Sequence, residues 1–187
     1  MKINLDINLG INNSINKLYE KGIIKEDTII IIPVIDNLDS ILKIRDNYKN
    51  KLILVLYESL SSKINDYNNI ELITIPNMMN KEDIKYMASD IKEEFSDAYI
   101  FDLYDNKYLE SYYTDIAKDI YKNNQGYNKI YIPYNGSSCL GLIKYFKIAT
   151  DLDVILISDN EIKNIEYDLK ISKKEEIDDE NSIVISF

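Results

Sequence analysis

Two apolar runs without polar interruption constrain this chain more than any other feature. Residues 28–35 read Thr-Ile-Ile-Ile-Ile-Pro-Val-Ile, and residues 51–57 read Lys-Leu-Ile-Leu-Val-Leu-Tyr. A strand with one wet face alternates apolar and polar side chains. A continuous β-branched run instead suits a strand covered on both faces, the usual condition of parallel strands. Similar strand signals occur at 70–75, 98–103, 129–134, 153–158 and 182–187.

Helical patterns fill the intervals. After Asn80, a predicted cap, apolar residues recur at Ile84, Met87, Ala88, Ile91 and Phe95 with helical spacing. Leu109, Tyr112, Tyr113, Ile116, Ala117, Ile120 and Tyr121 form a second stripe, with Gly126 as its stop signal. Residues 11–21 and a segment after Pro33 give two more, whereas charged 170–181 predicts only a weak helix. This alternation predicts an α/β fold, a mostly parallel sheet with flanking helices. A soft boundary at 105–107 divides residues 1–107, an α/β unit, from 108–187.

Composition removes several chemistries. The 187 residues include no histidine and a single cysteine, Cys139. Ser-His-Asp and Cys-His catalysis, histidine-ligated zinc, cysteine clusters and an internal disulfide are excluded. A formal net charge of −10 opposes nucleic acid and anionic membranes as partners. The polar start, Met-Lys-Ile-Asn-Leu-Asp, does not read as a signal peptide, and no apolar run reaches spanning length. A cytoplasmic location is the resulting expectation. The acidic pairs Glu93-Glu94, Glu175-Glu176 and Asp178-Asp179 read as solvated surface.

One segment carries a candidate site. Residues 130–147 run from an apolar strand through Asn135, Gly136, Ser137 and Ser138 into a helix. Amides and dipole at a helix start favour an anion, and these small residues allow close approach. The segment reads equally as an ordinary strand-to-helix turn. Cys139, beside the helix start, reads either as an activated thiol or as a small buried residue.

In chain order, several segments resemble the cysteine synthase and threonine synthase group, the fold-type II (tryptophan-synthase-β-like) pyridoxal-phosphate enzymes. Residues 19–31, Tyr-Glu-Lys-Gly-Ile-Ile-Lys-Glu-Asp-Thr-Ile-Ile-Ile, are similar to the family's "AEKxGLLKPGDTIVE". Residues 51–62 are similar to "KLILVMPETMSS", and 134–138 fall on the phosphate-binding "GTGGT". The resemblance implies a truncated two-lobe architecture with pyridoxal phosphate between the lobes. It also assigns cofactor contacts to Asn37, Asn135, Gly136, Ser137 and Ser138.

The departures from the family are as informative. The Schiff-base lysine of "SVKDR" would fall at Ile7, and the nearest lysines are Lys2 and Lys17. A Schiff base needs a primary amine at the aldehyde. Where the family's "TSGNT" loop holds a substrate carboxylate, this chain has Val34, Ile35, Asp36, Asn37 and Leu38. These features point to a pseudoenzyme acting as a binding, regulatory or partner subunit, with Val34, Ile35 and Leu38 as an apolar rim for a peptide. A homo-oligomer or a protein partner is expected. The alternatives are a lyase or β-replacement enzyme acting on serine or cysteine derivatives through Lys2, and a non-covalent binder of a phosphorylated metabolite at 135–138.

Overall fold

The computed structural model describes residues 1–187 except 36–37, 45–47, 65–68, 160–161, 163–164, 166, 173–176 and 178–179; for 43 and 44 only the backbone is described. The chain forms two compact units, Ile15–Asp102 and a second built from Met1–Ser14 with Leu103–Phe187. The expected division at residue 107 puts residues 1–14 and 103–107 in the first part, whereas both fall in the second of these units, 1–14 by far the larger difference. The reason lies in a strand that sequence reading missed. β1 (Lys2–Asn4) pairs in parallel with β9 (Ser182–Ser186) at the far end of the chain.

The unit Ile15–Asp102 holds a four-stranded sheet in the order β4-β3-β2-β5. Its strands are β2 (Ile29–Val34), β3 (Leu52–Tyr57), β4 (Ile70–Ile75) and β5 (Ala98–Ile100). Its ladders are all parallel, in the register Ile30↔Leu52, Leu52↔Ile70 and Ile29↔Ala98. β2 and β3 are buried on both faces, as their unbroken apolar runs require. Ile31, Ile53, Val55 and Ile75 pack with Ile84, Ala88 and Ile91 of α4 (Lys81–Glu94). Asn80 caps α4 through a capping box with Asp83, as its position predicts. Two short helices, α2 (Leu38–Ile44) and α3 (Glu58–Ser61), follow β2 and β3.

Pro33 sits inside β2 without breaking the ladder. The amide of Ile29 and the carbonyl of Ile31 bond toward β5, so odd-numbered residues of β2 face that strand. β5 pairs only as far as Ile31, and Pro33 lies beyond its end, where no donor is needed.

The other unit holds a five-stranded sheet, β1-β9-β6-β7-β8, again parallel throughout. β6 is Lys129–Pro133, β7 is Asp153–Ile157 and β8 is Leu169–Ile171. β8 corrects the weak helix expected over 170–181: Leu169–Ile171 complete a ladder with Ile155–Ile157. Helix α1 (Ile7–Glu20) starts in this unit, and α5 (Lys107–Asn123) and α6 (Gly136–Ala149) belong to it. α5 and α6 touch at Gly141, where an added Cβ would stand 2.2 Å from the Glu110 carbonyl oxygen. Thr114 Oγ1 fixes the crossing by donating to the carbonyls of Glu110 (2.9 Å) and Gly141 (3.2 Å).

No helix among the described residues is long and apolar enough to cross a membrane. Because backbone rather than a flexible side chain fills the space beside Gly141, Gly141→Ala is expected to destabilise the fold by about 2 kcal/mol or more, read from urea unfolding.

Candidate functional site

Four of the five predicted contact residues, Asn135, Gly136, Ser137 and Ser138, come together where β6 ends and α6 begins. Asn37 lies outside the described residues, as does Asp36. Val34 and Leu38 are buried and Ile35 is half-buried, so Val34 and Leu38 belong to the core instead of forming the expected apolar rim.

The turn is built by a residue that only glycine replaces without strain. Gly136 has φ +57°, and an added Cβ would lie 2.7 Å from the Leu103 carbonyl oxygen and 2.8 Å from Tyr104 Cα. The segment after β5 therefore presses its backbone against the helix start. Ser137 closes the contact twice. Its amide donates to the Leu103 carbonyl at 3.0 Å, and its Oγ accepts the Asn106 amide at 2.7 Å. Asn106 meanwhile caps α5, its Oδ1 accepting from the amides of Tyr108 and Leu109, each at 3.1 Å. The starts of α5 and α6 are thus clasped through Ser137 and Asn106. Sequence reading missed Asn106, although its place at the start of the helical stripe is a cap signal.

Ser138 behaves differently. Its Oγ is buried and has no hydrogen-bond partner. The Tyr113 hydroxyl is near enough to feel it, yet donates instead to the Asp6 carbonyl at 3.3 Å. Burial pushes the Tyr113 phenol well above its ordinary range. Asn135 places no side-chain cap on α6, and the Tyr134 ring lies 6.3 Å from that of Tyr104.

Cys139 follows the buried alternative. It is fully enclosed, and burial pushes its thiol up to about 12, against a smaller opposing pull from the Asn135 backbone. The lysine question has an equally plain geometry. Ile7 occupies the first turn of α1, buried, with Asn8 beside it. Lys2 is exposed on β1, an edge strand, and Lys17 is exposed in the last turn of α1. No cluster of three His, Cys, Asp or Glu that could hold a metal ion occurs among the described residues.

Neither any known family model nor any curated protein matches the sequence. Solved structures do match the fold. The O-acetylserine-dependent cystathionine β-synthase of Helicobacter pylori superposes with a TM-score of 0.65 at 19% identity, covering 96% of this chain and 65% of that one. O-ureido-L-serine synthase gives 0.63 at 13% identity, over 96% of this chain and 63% of that one. A hydrogen sulfide-producing enzyme of Fusobacterium nucleatum gives 0.63 at 15% identity, over 81% and 53%. The chain therefore has the α/β fold of the cysteine-synthase-like, fold-type II proteins, and spans 53–65% of the length of these three structures.

The residues present do not fit pyridoxal phosphate, the cofactor that the resemblance implies. The Ser137 amide and Oγ are engaged by the chain itself, and Leu103 and Tyr104 fill the flank of Gly136.

This geometry separates the neighbours by mutation. Gly136→Ala is expected to cost about 2–4 kcal/mol in urea unfolding, from strain and backbone overlap. Ser138→Ala, which removes a buried hydroxyl lacking a partner, is expected to leave stability unchanged or raise it by up to about 1 kcal/mol. Cys139 in the native protein is expected to resist alkylation at mildly alkaline pH and to react once urea unfolds it. Because its folded value lies above the ordinary 9.0, the thiol takes stability away as pH climbs from about 9 toward about 12. A pH series of urea midpoints with Cys139→Ala as reference reads this slope.

Proposed function

We propose that this chain is a cysteine-synthase-like protein without Schiff-base chemistry, serving as a binding or regulatory subunit for a protein partner in the cytoplasm. The reading rests on the first turn of α1: the register of the family's lysine falls on Ile7, and that residue is buried. The clasp at Ser137 supports it, because the Ser137 amide, bonded to the Leu103 carbonyl, is not available to a phosphate. The alternative lysine, Lys2, is exposed on an edge strand, a poor place to hold an amine against an aldehyde in a dry site.

A second reading, non-covalent binding of a phosphorylated metabolite at residues 135–138, is favoured by one atom. The buried Ser138 Oγ lacks a partner that an anion's oxygens would supply. Such a ligand would have to displace the Leu103 carbonyl from the Ser137 amide.

The deciding measurement is an absorbance titration with pyridoxal phosphate, followed by borohydride reduction and intact mass. The expected outcome is no saturable visible band and no stoichiometric adduct. A one-to-one adduct on a single lysine, lost in Lys2→Ala, would overturn the proposal and restore the lyase or β-replacement reading. For the second reading, stabilisation of the native protein by pyridoxamine phosphate, abolished by Ser138→Ala, is the expected signature. A melting temperature indifferent to that ligand would remove it.

A further inference from the structure

The outer face of α4 and the turn that leads into it carry an arrangement that neither the fold nor the turn at Gly136 uses. Of the exposed large apolar residues among the described ones, four fall within ten positions: Met78, Met79, Tyr86 and Met87. Met78 is 93% and Tyr86 68% exposed, so both side chains stand in solvent. Flexible thioethers and a tyrosine ring form adaptable contact surface, the composition of recognition patches and not of an ordinary wet helix face.

The charges on α4 are sorted around this patch. With 3.6 residues per turn, Glu82 and Asp90 lie one turn either side of Tyr86, and Asp83 and Asp90 flank Met87. Glu93 and Glu94 continue the same crown. The helix's lysines, Lys81, Lys85 and Lys92, take the opposite flank, where Lys85 pairs with Asp102 at 3.1 Å. Asp83 has a local purpose in the capping box, and acids near a helix start suit its dipole. Glu93 and Glu94 have none. They close the C-terminal end of α4, where the dipole disfavours negative charge. Helix stability therefore does not account for them.

We infer that the Met78-Met79-Tyr86-Met87 patch with its carboxylate crown is a docking surface for a lysine-rich amphipathic helix of a partner protein. The partner's apolar stripe lies on the methionines and Tyr86, and its lysines meet Glu82, Asp90, Glu93 and Glu94. Charge complementarity selects this occupant: a crown of one sign on a chain of net charge −10 repels an acidic segment and draws a basic one. The inference names the kind of partner for the binding subunit proposed above. It stands on α4 and the turn before it, so its test does not depend on whether pyridoxal phosphate binds.

The probe is a fluorescein-labelled Lys/Leu amphipathic peptide of about 18 residues, five helical turns, titrated by anisotropy. Saturable one-site binding is expected, weakened by raising salt from about 50 to about 300 mM. Met78→Ser combined with Tyr86→Ser should weaken it by about tenfold or more. The triple change Asp90→Asn, Glu93→Gln and Glu94→Gln should flatten the salt dependence. Ile148→Ser, at an exposed apolar residue on α6, should leave binding unchanged. All substituted side chains are exposed, and circular dichroism verifies that each variant folds. Equal affinity in the Met78/Tyr86 variant, equal binding of a Glu/Leu peptide of the same pattern, or no saturation would overturn the inference. So would a dimer that the Met78/Tyr86 variant dissolves while the peptide fails to bind, which would give the patch to a second copy of the chain.

Discussion

A parallel ladder cannot be closed by a tight turn, and most of this structure follows from that constraint. Each strand must wait for a crossover before its neighbour begins, and the crossovers are best built as helices lying on the sheet. Covered faces in turn demand apolar residues at successive positions, which is why Ile30, Ile31 and Ile32 are all buried. The same constraint tolerates Pro33. In a sheet whose strands end at different heights, a residue lacking an amide can sit where the neighbouring strand has already stopped.

The turn at Gly136 shows how one local conformation serves two different ends. A glycine with positive φ, followed by small hydroxyl residues at a helix start, has the makings of an anion cradle. Here the same geometry admits the backbone of Leu103 and Tyr104, and Ser137 spends its amide and its hydroxyl on that segment. Architecture and chemistry separate at this point. The fold is that of the cysteine-synthase-like proteins, yet the Ser137 amide is committed to the segment before α5.

The strands of the central ladders were legible because burial on both faces leaves an unmistakable apolar signature, and α4 because Asn80 announces it. β1 and β8 were not. Three residues give no periodicity, and β8 is only Leu-Lys-Ile between Asp168 and Ser172, so only the pairing partners define them. At the candidate site, the grouping of Asn135 through Ser138 could be read from the sequence, but what occupies it could not. Leu103 and Asn106 lie more than thirty positions away, and nothing local records that Asn106 donates to Ser137. Burial of Leu38 was hidden for the related reason that an apolar residue after a strand reads equally as rim or core.

The pairing of β1 with β9 has a consequence for the order of assembly. The Met1 amine donates to the Ser182 carbonyl across a separation of 181 residues. Lys2–Asn4 join a strand that comes last in chain order among the described strands. Closing so long a loop carries an entropic cost that the short ladder recovers only when the rest of the five-stranded sheet is in place. β1 is thereby among the last of the described strands to find its station. Until then, the free flank of β9 is a template open to any extended segment nearby, which exposes a folding chain to mispairing at that edge.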